Sequence, residues 1–130
     1  MRIAAVVLAL VAAGWYVIGI RQAHELDAAS AIIRGSAPLT PARARRAAEL
    51  LHAAKLLNPD REVDMLRAQL DRARGDVTRA RAILDRVVAS EPDNAEAWFQ
   101  LAGSSAGSPS TFARALRNFW RLEPPVKPAR

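Results

Sequence analysis

Glu49 and His52 stand three residues apart. On a helix this spacing puts a carboxylate and an imidazole on one face, as carboxylate-bridged metal sites require. Such a site needs the motif twice with further glutamates, and the only other histidine, His24, lies beside Glu25 and Asp27 in a different context. A surface histidine on an amphipathic helix accounts for the pair. A second suggestive stretch is SEPDNAEAW, residues 90–98, where Glu91, Asp93 and Glu96 surround Pro92 and precede Trp98. The GSSAGS run at 103–108 has glycines and serines but no lysine, and opens no phosphate-cradling G-x-x-x-x-G-K-S/T pattern, so it reads as a flexible connection. No G-x-S-x-G elbow is present, and no motif supplies any serine with a base and an orienting group. The absence of cysteine removes thiol catalysis, thiolate zinc and disulfides together. The residues argue against an enzyme and call for no metal or cofactor.

Charge narrows the partners. The formal net charge is +6, with seventeen arginines and two lysines, yet basic and acidic residues alternate along the chain. Alternation describes solvated helical surfaces, not a polyanion-binding block. A single tyrosine and no interleaving of arginine with aromatics argue against nucleic acid. Arg67, Arg74 and Arg81 are seven apart, but Gly75-Asp76 interrupts the helix between the last two, and pairing with Asp64, Asp71 and Asp85 is the expectation. The tail contains Pro125-x-x-Pro128, a polyproline-type spacing that also arises by chance after a helix stop.

The elements that carry these residues begin with an apolar run. Residues 3–20, IAAVVLALVAAGWYVIGI, hold no charge. As a helix they would span ~27 Å, close to the ~30 Å of a hydrocarbon core. Trp15, Tyr16 and Arg21 at one end suit an interface. A single-pass membrane helix over residues 1–20 is expected, with the remainder favoured on the extracytoplasmic side. The alternative is a cleaved signal peptide ending near Val11-Ala12-Ala13. Ala23, Leu26, Ala29 and Ile33 continue one apolar stripe, so the anchor would run into the first soluble helix.

Beyond residue 34 the chain repeats itself. Pro59, Pro92 and Pro124 are spaced by 33 and 32 residues; Leu51, Leu84 and Leu116 precede them by eight, and Ala47, Ala80 and Phe112 precede those by four. Thr40-Pro41, Gly75-Asp76 and Ser108-Pro109 supply helix-start signals in the same rhythm. The pattern predicts an all-α fold of three antiparallel helix pairs: 21–34 with 41–57, 61–74 with 76–90, and 94–105 with 108–122. A lone pair cannot bury both faces, so neighbours must stack.

Trp98-x2-Leu101-Ala102 and Ala80-x3-Leu84 leading to Pro92, with the Gly75-Asp76 turn, resemble the tetratricopeptide repeat pattern. The resemblance spans about 21–124 and is strongest over 61–102; 125–130 would be a proline-rich tail. It implies a short solenoid behind the N-terminal membrane helix, with Ala47, Leu51, Ala80, Leu84, Trp98, Leu101 and Leu116 as packing residues. The first helices of successive repeats would line a groove for a partner's peptide or helix, here Glu62, Met65, Gln69, Arg72, Glu96, Phe99 and Gln100. Glutamate and glutamine stand where a terminal-carboxylate clamp would need lysine, arginine and asparagine. The expected function is a membrane-anchored scaffold that recruits a protein partner at the cell envelope. A self-associating helical module that forms homodimers is the alternative, or an electrostatic binder of anionic lipid or nucleic acid. Phe112, Phe119 and Trp120 make the last helix a terminal cap or a docking face.

Overall fold

The computed structural model describes residues 23–57 and 61–124, together with Tyr16 and Ile20. The expected membrane helix falls almost wholly outside these residues, and so does the tail from 125 onward. Among the described residues no helix is long and apolar enough to cross a membrane. Helices and turns make up the described chain, with no strand among those residues: α1 covers 23–34, followed by α2 Pro41–Leu57, α3 Arg61–Ala73, α4 Val77–Ser90, α5 Ala95–Gly103 and α6 Pro109–Leu122. Two compact units divide within the first turn of α3, one through Val63 and the other from Asp64.

In the first unit, three alanines and a leucine at helical spacing bury one face of α2: Ala44, Ala47, Leu51 and Ala54. Ala29 is buried on α1. The link between these helices is held by side chains. Thr40 Oγ1 accepts from the Arg43 amide at 3.3 Å, an N-cap that precedes Pro41 at the first helical position. The Arg43 guanidinium reaches back, donating to the carbonyls of Ala37 at 2.7 Å and Pro38 at 2.9 Å. The Pro38 carbonyl also accepts from the Thr40 amide at 3.0 Å, so the arginine adds a second donor there and supplies one to Ala37.

The second unit is built around a core of Ala68, Ala80, Ile83, Leu84, Val87, Val88, Ala97, Trp98, Leu101, Ala102 and Ala115, with Met65, Leu116, Phe119 and Leu122 against it. Full burial of each Leu, Val or Ile contributes roughly 1.5–3 kcal/mol before conformational entropy is charged against it. Ala80, with no exposed surface, and Ala97 let backbones approach closely where larger side chains would hold them apart.

The turns explain why the helices stop where they do. At the end of α3 the Gly75 amide donates to the Arg72 carbonyl at 3.0 Å and the Asp76 amide to the Asp71 carbonyl at 2.9 Å, while Gly75 has φ +86°. This is a Schellman ending, whose left-handed residue glycine supplies without a Cβ penalty. Asp76 then caps α4, its Oδ1 accepting from the Arg79 amide at 3.0 Å.

Between α4 and α5 the sequence suggests Asp93 as cap, with Glu96 closing a capping box. The structure uses Asn94 instead: its Oδ1 accepts from the Ala97 amide at 3.0 Å, and its Nδ2 donates to Glu91 Oε2 at 2.9 Å. The cap moves because α5 starts at Ala95, one residue later than expected. Asp93 is left in solvent, its Oδ1 3.5 Å from Arg121 Nη2.

The GSSAGS connection also differs from expectation. Ser104 and Ser105 are buried, and amides of Ser104, Ser105 and Ser108 donate to the carbonyls of Gln100, Ala102 and Ser105. Continuous backbone bonding makes this a packed turn, which ends α5 at Gly103 and starts α6 at Pro109.

Candidate protein-binding surface

Helices α3 and α5 carry the residues expected to face a partner. On α3, Glu62 and Arg72 are exposed while Met65 and Gln69 are half-buried. Met65 packs against the core of the second unit. The Arg72 guanidinium approaches the end of α5, since a Cβ built on Gly103 would come within 2.7 Å of its Nη1. A cation beside the C-terminal turn of a helix is favoured by the helix dipole.

On α5, Glu96 is exposed and Phe99 is 54% exposed, whereas Gln100 is only 5% exposed. Gln100 Nε2 donates to Glu96 Oε1 at 2.8 Å. The pair is one helical turn apart, so burial of Gln100 holds the Glu96 carboxylate in place. Ala97, Trp98 and Leu101 occupy the opposite side and are buried. Trp98 Nε1 donates to the Pro92 carbonyl at 2.8 Å, which lets an indole enter the core with its one donor satisfied.

Of the other residues expected to pack the repeats, Ala47, Leu51, Ala80 and Leu84 are buried and Leu116 is half-buried. Glu49 meets Arg46 at 3.4 Å, His52 is exposed, and among the described residues no cluster of acidic, histidine or cysteine side chains could hold a metal ion.

The aromatic residues join in a way the linear spacing conceals. The Phe99 ring lies 5.3 Å from Phe119, and Phe119 lies 4.9 Å from Trp120, both tilted contacts. Trp120 is 49% exposed and Phe112 41% exposed, and Ala115 is the buried residue of α6. Phe99 therefore belongs to one aromatic run with the last helix. Twenty residues separate the two phenylalanines, and only the tight 104–108 turn brings them together.

The ion pairs also depart from neighbour-on-helix expectation. Asp71, buried, sits 3.3 Å from Arg79 Nε as an ion pair without an aligned hydrogen bond. Asp85 receives Arg114 Nη2 from α6 at 2.6 Å, and the same guanidinium lies 5.8 Å over the Trp98 ring. The first pair crosses the Gly75-Asp76 turn from α3 to α4, and the second joins α4 to α6.

A helix, a Gly-Asp turn, a second helix with a small residue at the crossing, a proline joint and a third helix carrying an inward tryptophan follow one another from α3 to α5. Residues 61–103 match the tetratricopeptide repeat family. The matched span runs from the first residue of α3 to the last of α5, one helix pair and the first helix of the next. No curated protein and no solved structure matches the chain. A tetratricopeptide repeat is a helical module of the kind used for protein–protein interaction, generally without enzymatic activity of its own. Within the repeat, Gly75-Asp76 forms the turn between paired helices, and Met65 and Phe99 lie on their first helices.

Proposed function

We propose that the chain is a protein–protein interaction scaffold that captures a partner through the surface of Met65, Gln69, Arg72, Glu96 and Phe99. Anchoring of that surface at the cell envelope by residues 3–20, with the repeat on the extracytoplasmic side, is part of the same proposal and rests on their uncharged sequence. The observation that carries the reading is Phe99. It is an aromatic side chain left 54% exposed on a helix whose other large apolar residues are buried. Exposed aromatics set among polar residues are the typical anchors of a binding surface, where a few side chains supply most of the affinity.

Glu96 and Arg72 place charges of both signs beside the aromatic centre. This suits a partner helix or peptide of mixed polar and apolar character. The test is capture from solubilised membranes by the full-length chain and by Phe99→Glu. Phe99 is preferable to Met65 as the single site because Met65 also supports the core. Replacing the aromatic with a carboxylate should reduce capture roughly tenfold or more, with the helical circular dichroism unchanged. Undiminished capture by the folded variant would overturn the proposal.

A further inference from the structure

We infer that a second, basic pocket between α3 and α4 binds an acidic segment of a partner protein through the side-chain carboxylates of that segment. The pocket has a volume of about 360 Å³ and is lined by Asp64, Arg67, Arg79, Ala82, Ile83 and Arg86. Residues 64 and 67 lie one turn apart on α3, and residues 79, 82, 83 and 86 cover two turns of one face of α4.

Three guanidinium groups meet one carboxylate in this lining. Asp71 holds Arg79 from outside the lining at 3.3 Å, which fixes the direction of that side chain. Asp85, the acidic residue nearest in sequence to Arg86, is engaged by Arg114. Among the described residues, neither Arg67 nor Arg86 makes an ion pair. The excess of positive charge is thus concentrated in two arginines that the fold does not use.

Size and floor select among anions. The volume is room for on the order of ten waters, more than a lone phosphate or chloride fills. Ile83, 5% exposed, and Ala82 give the pocket an apolar surface beside the guanidinium forks. Arginine recognises carboxylates bidentately. A peptide in which acidic and aliphatic side chains alternate would satisfy both surfaces at once.

The site is separate from the Phe99 surface. At 3.6 residues per turn, Arg67 points roughly 140–160° around α3 from Met65, Gln69 and Arg72. The inference rests on the interaction-module reading for the nature of its ligand, but its test does not pass through Phe99.

The experiment is fluorescence anisotropy on the full-length chain with a labelled peptide of alternating glutamate and leucine, against the same peptide with glutamine for glutamate. The acidic peptide should bind and the amide peptide should not. Arg67→Ala with Arg86→Ala should weaken binding roughly tenfold or more, while Arg67→Lys with Arg86→Lys should fall between, because charge remains and the bidentate fork is lost. These arginines support no structural ion pair, so the variants should keep wild-type helicity. Phe99→Glu should bind the peptide as wild type does, so failure of the capture experiment and failure of this titration are separate results. Equal binding of the two peptides, or binding unaffected by the double alanine variant, would overturn the inference. So would displacement of the peptide by equimolar inorganic phosphate, or retention on phosphatidylglycerol vesicles that is lost in the alanine variant without any peptide binding, since those outcomes assign the pocket to phosphate or lipid.

Discussion

Gly75 and Gly107 look alike in the sequence but differ in what their backbones require. Gly75 has φ +86° and closes the Schellman turn; a Cβ there would meet no atom within 4 Å, so its constraint is purely conformational. Gly107 has equal space and no positive φ. Gly75→Ala should therefore destabilise the chain by about 1–2 kcal/mol, the cost of a left-handed L-residue. Gly107→Ala should be neutral or stabilising by up to about 1 kcal/mol through the unfolded state. Urea midpoints at constant m-value measure both, and equal effects would mean the Gly75 turn relaxes without loss. Phe99 shows the opposite kind of residue-scale fact. Its exposure costs the fold little to keep, which leaves the ring available for an intermolecular role.

The helices themselves were largely legible from local chemistry. Pro41 and Pro109 begin α2 and α6, Gly75-Asp76 separates α3 from α4, and Pro92 lies in the joint before α5. The α4–α5 joint differs from the sequence expectation by one residue, and the shift has a consequence in energy. Asn94→Ala removes the side-chain acceptor of the Ala97 amide and should cost about 1 kcal/mol. Asp93→Ala removes only an exposed contact at 3.5 Å from Arg121 and should change stability by less than about 0.5 kcal/mol. Thermal midpoints of the two variants check the assignment, with the reverse order pointing back to Asp93. Residues 90–98 thus act as a helix-to-helix joint. Glu91 holds the cap, Pro92 accepts from Trp98, and Glu96 is held by Gln100, so each part has a structural partner.

At the scale of the molecule, α6 leaves Phe112 and Trp120 partly open, whereas Ala80 and Val88, 32 residues earlier on α4, are buried. In α4 the corresponding face is covered by the α5–α6 pair. In α6 the same face carries larger side chains with part of their surface in water. A scaffold that binds a different protein through Phe99 should sediment with one protein mass from dilute to concentrated sample. A mass that rises with concentration, and that Trp120→Ser restores to the monomer, would favour the self-associating module instead. Trp120 is suited to this control because it is half exposed and is not among the residues proposed to contact the partner or the acidic peptide.

The spacing of Pro59, Pro92 and Pro124 and the caps around them were enough to determine paired helices and their period, since these are short-range effects of backbone geometry and side-chain acceptors. Which residues would be covered was partly legible too, as the buried face of α4 follows from 3.6-residue periodicity. The rest depended on elements far apart in sequence meeting in space. Only tertiary structure turned Gln100 inward, joined Phe99 to Phe119, directed Asp71 to Arg79 and Asp85 to Arg114, and left Arg67 and Arg86 facing a pocket. The reason is physical: caps and periodicity act within a turn or two, whereas the partner of an exposed charge or ring is decided by whichever helix packs beside it.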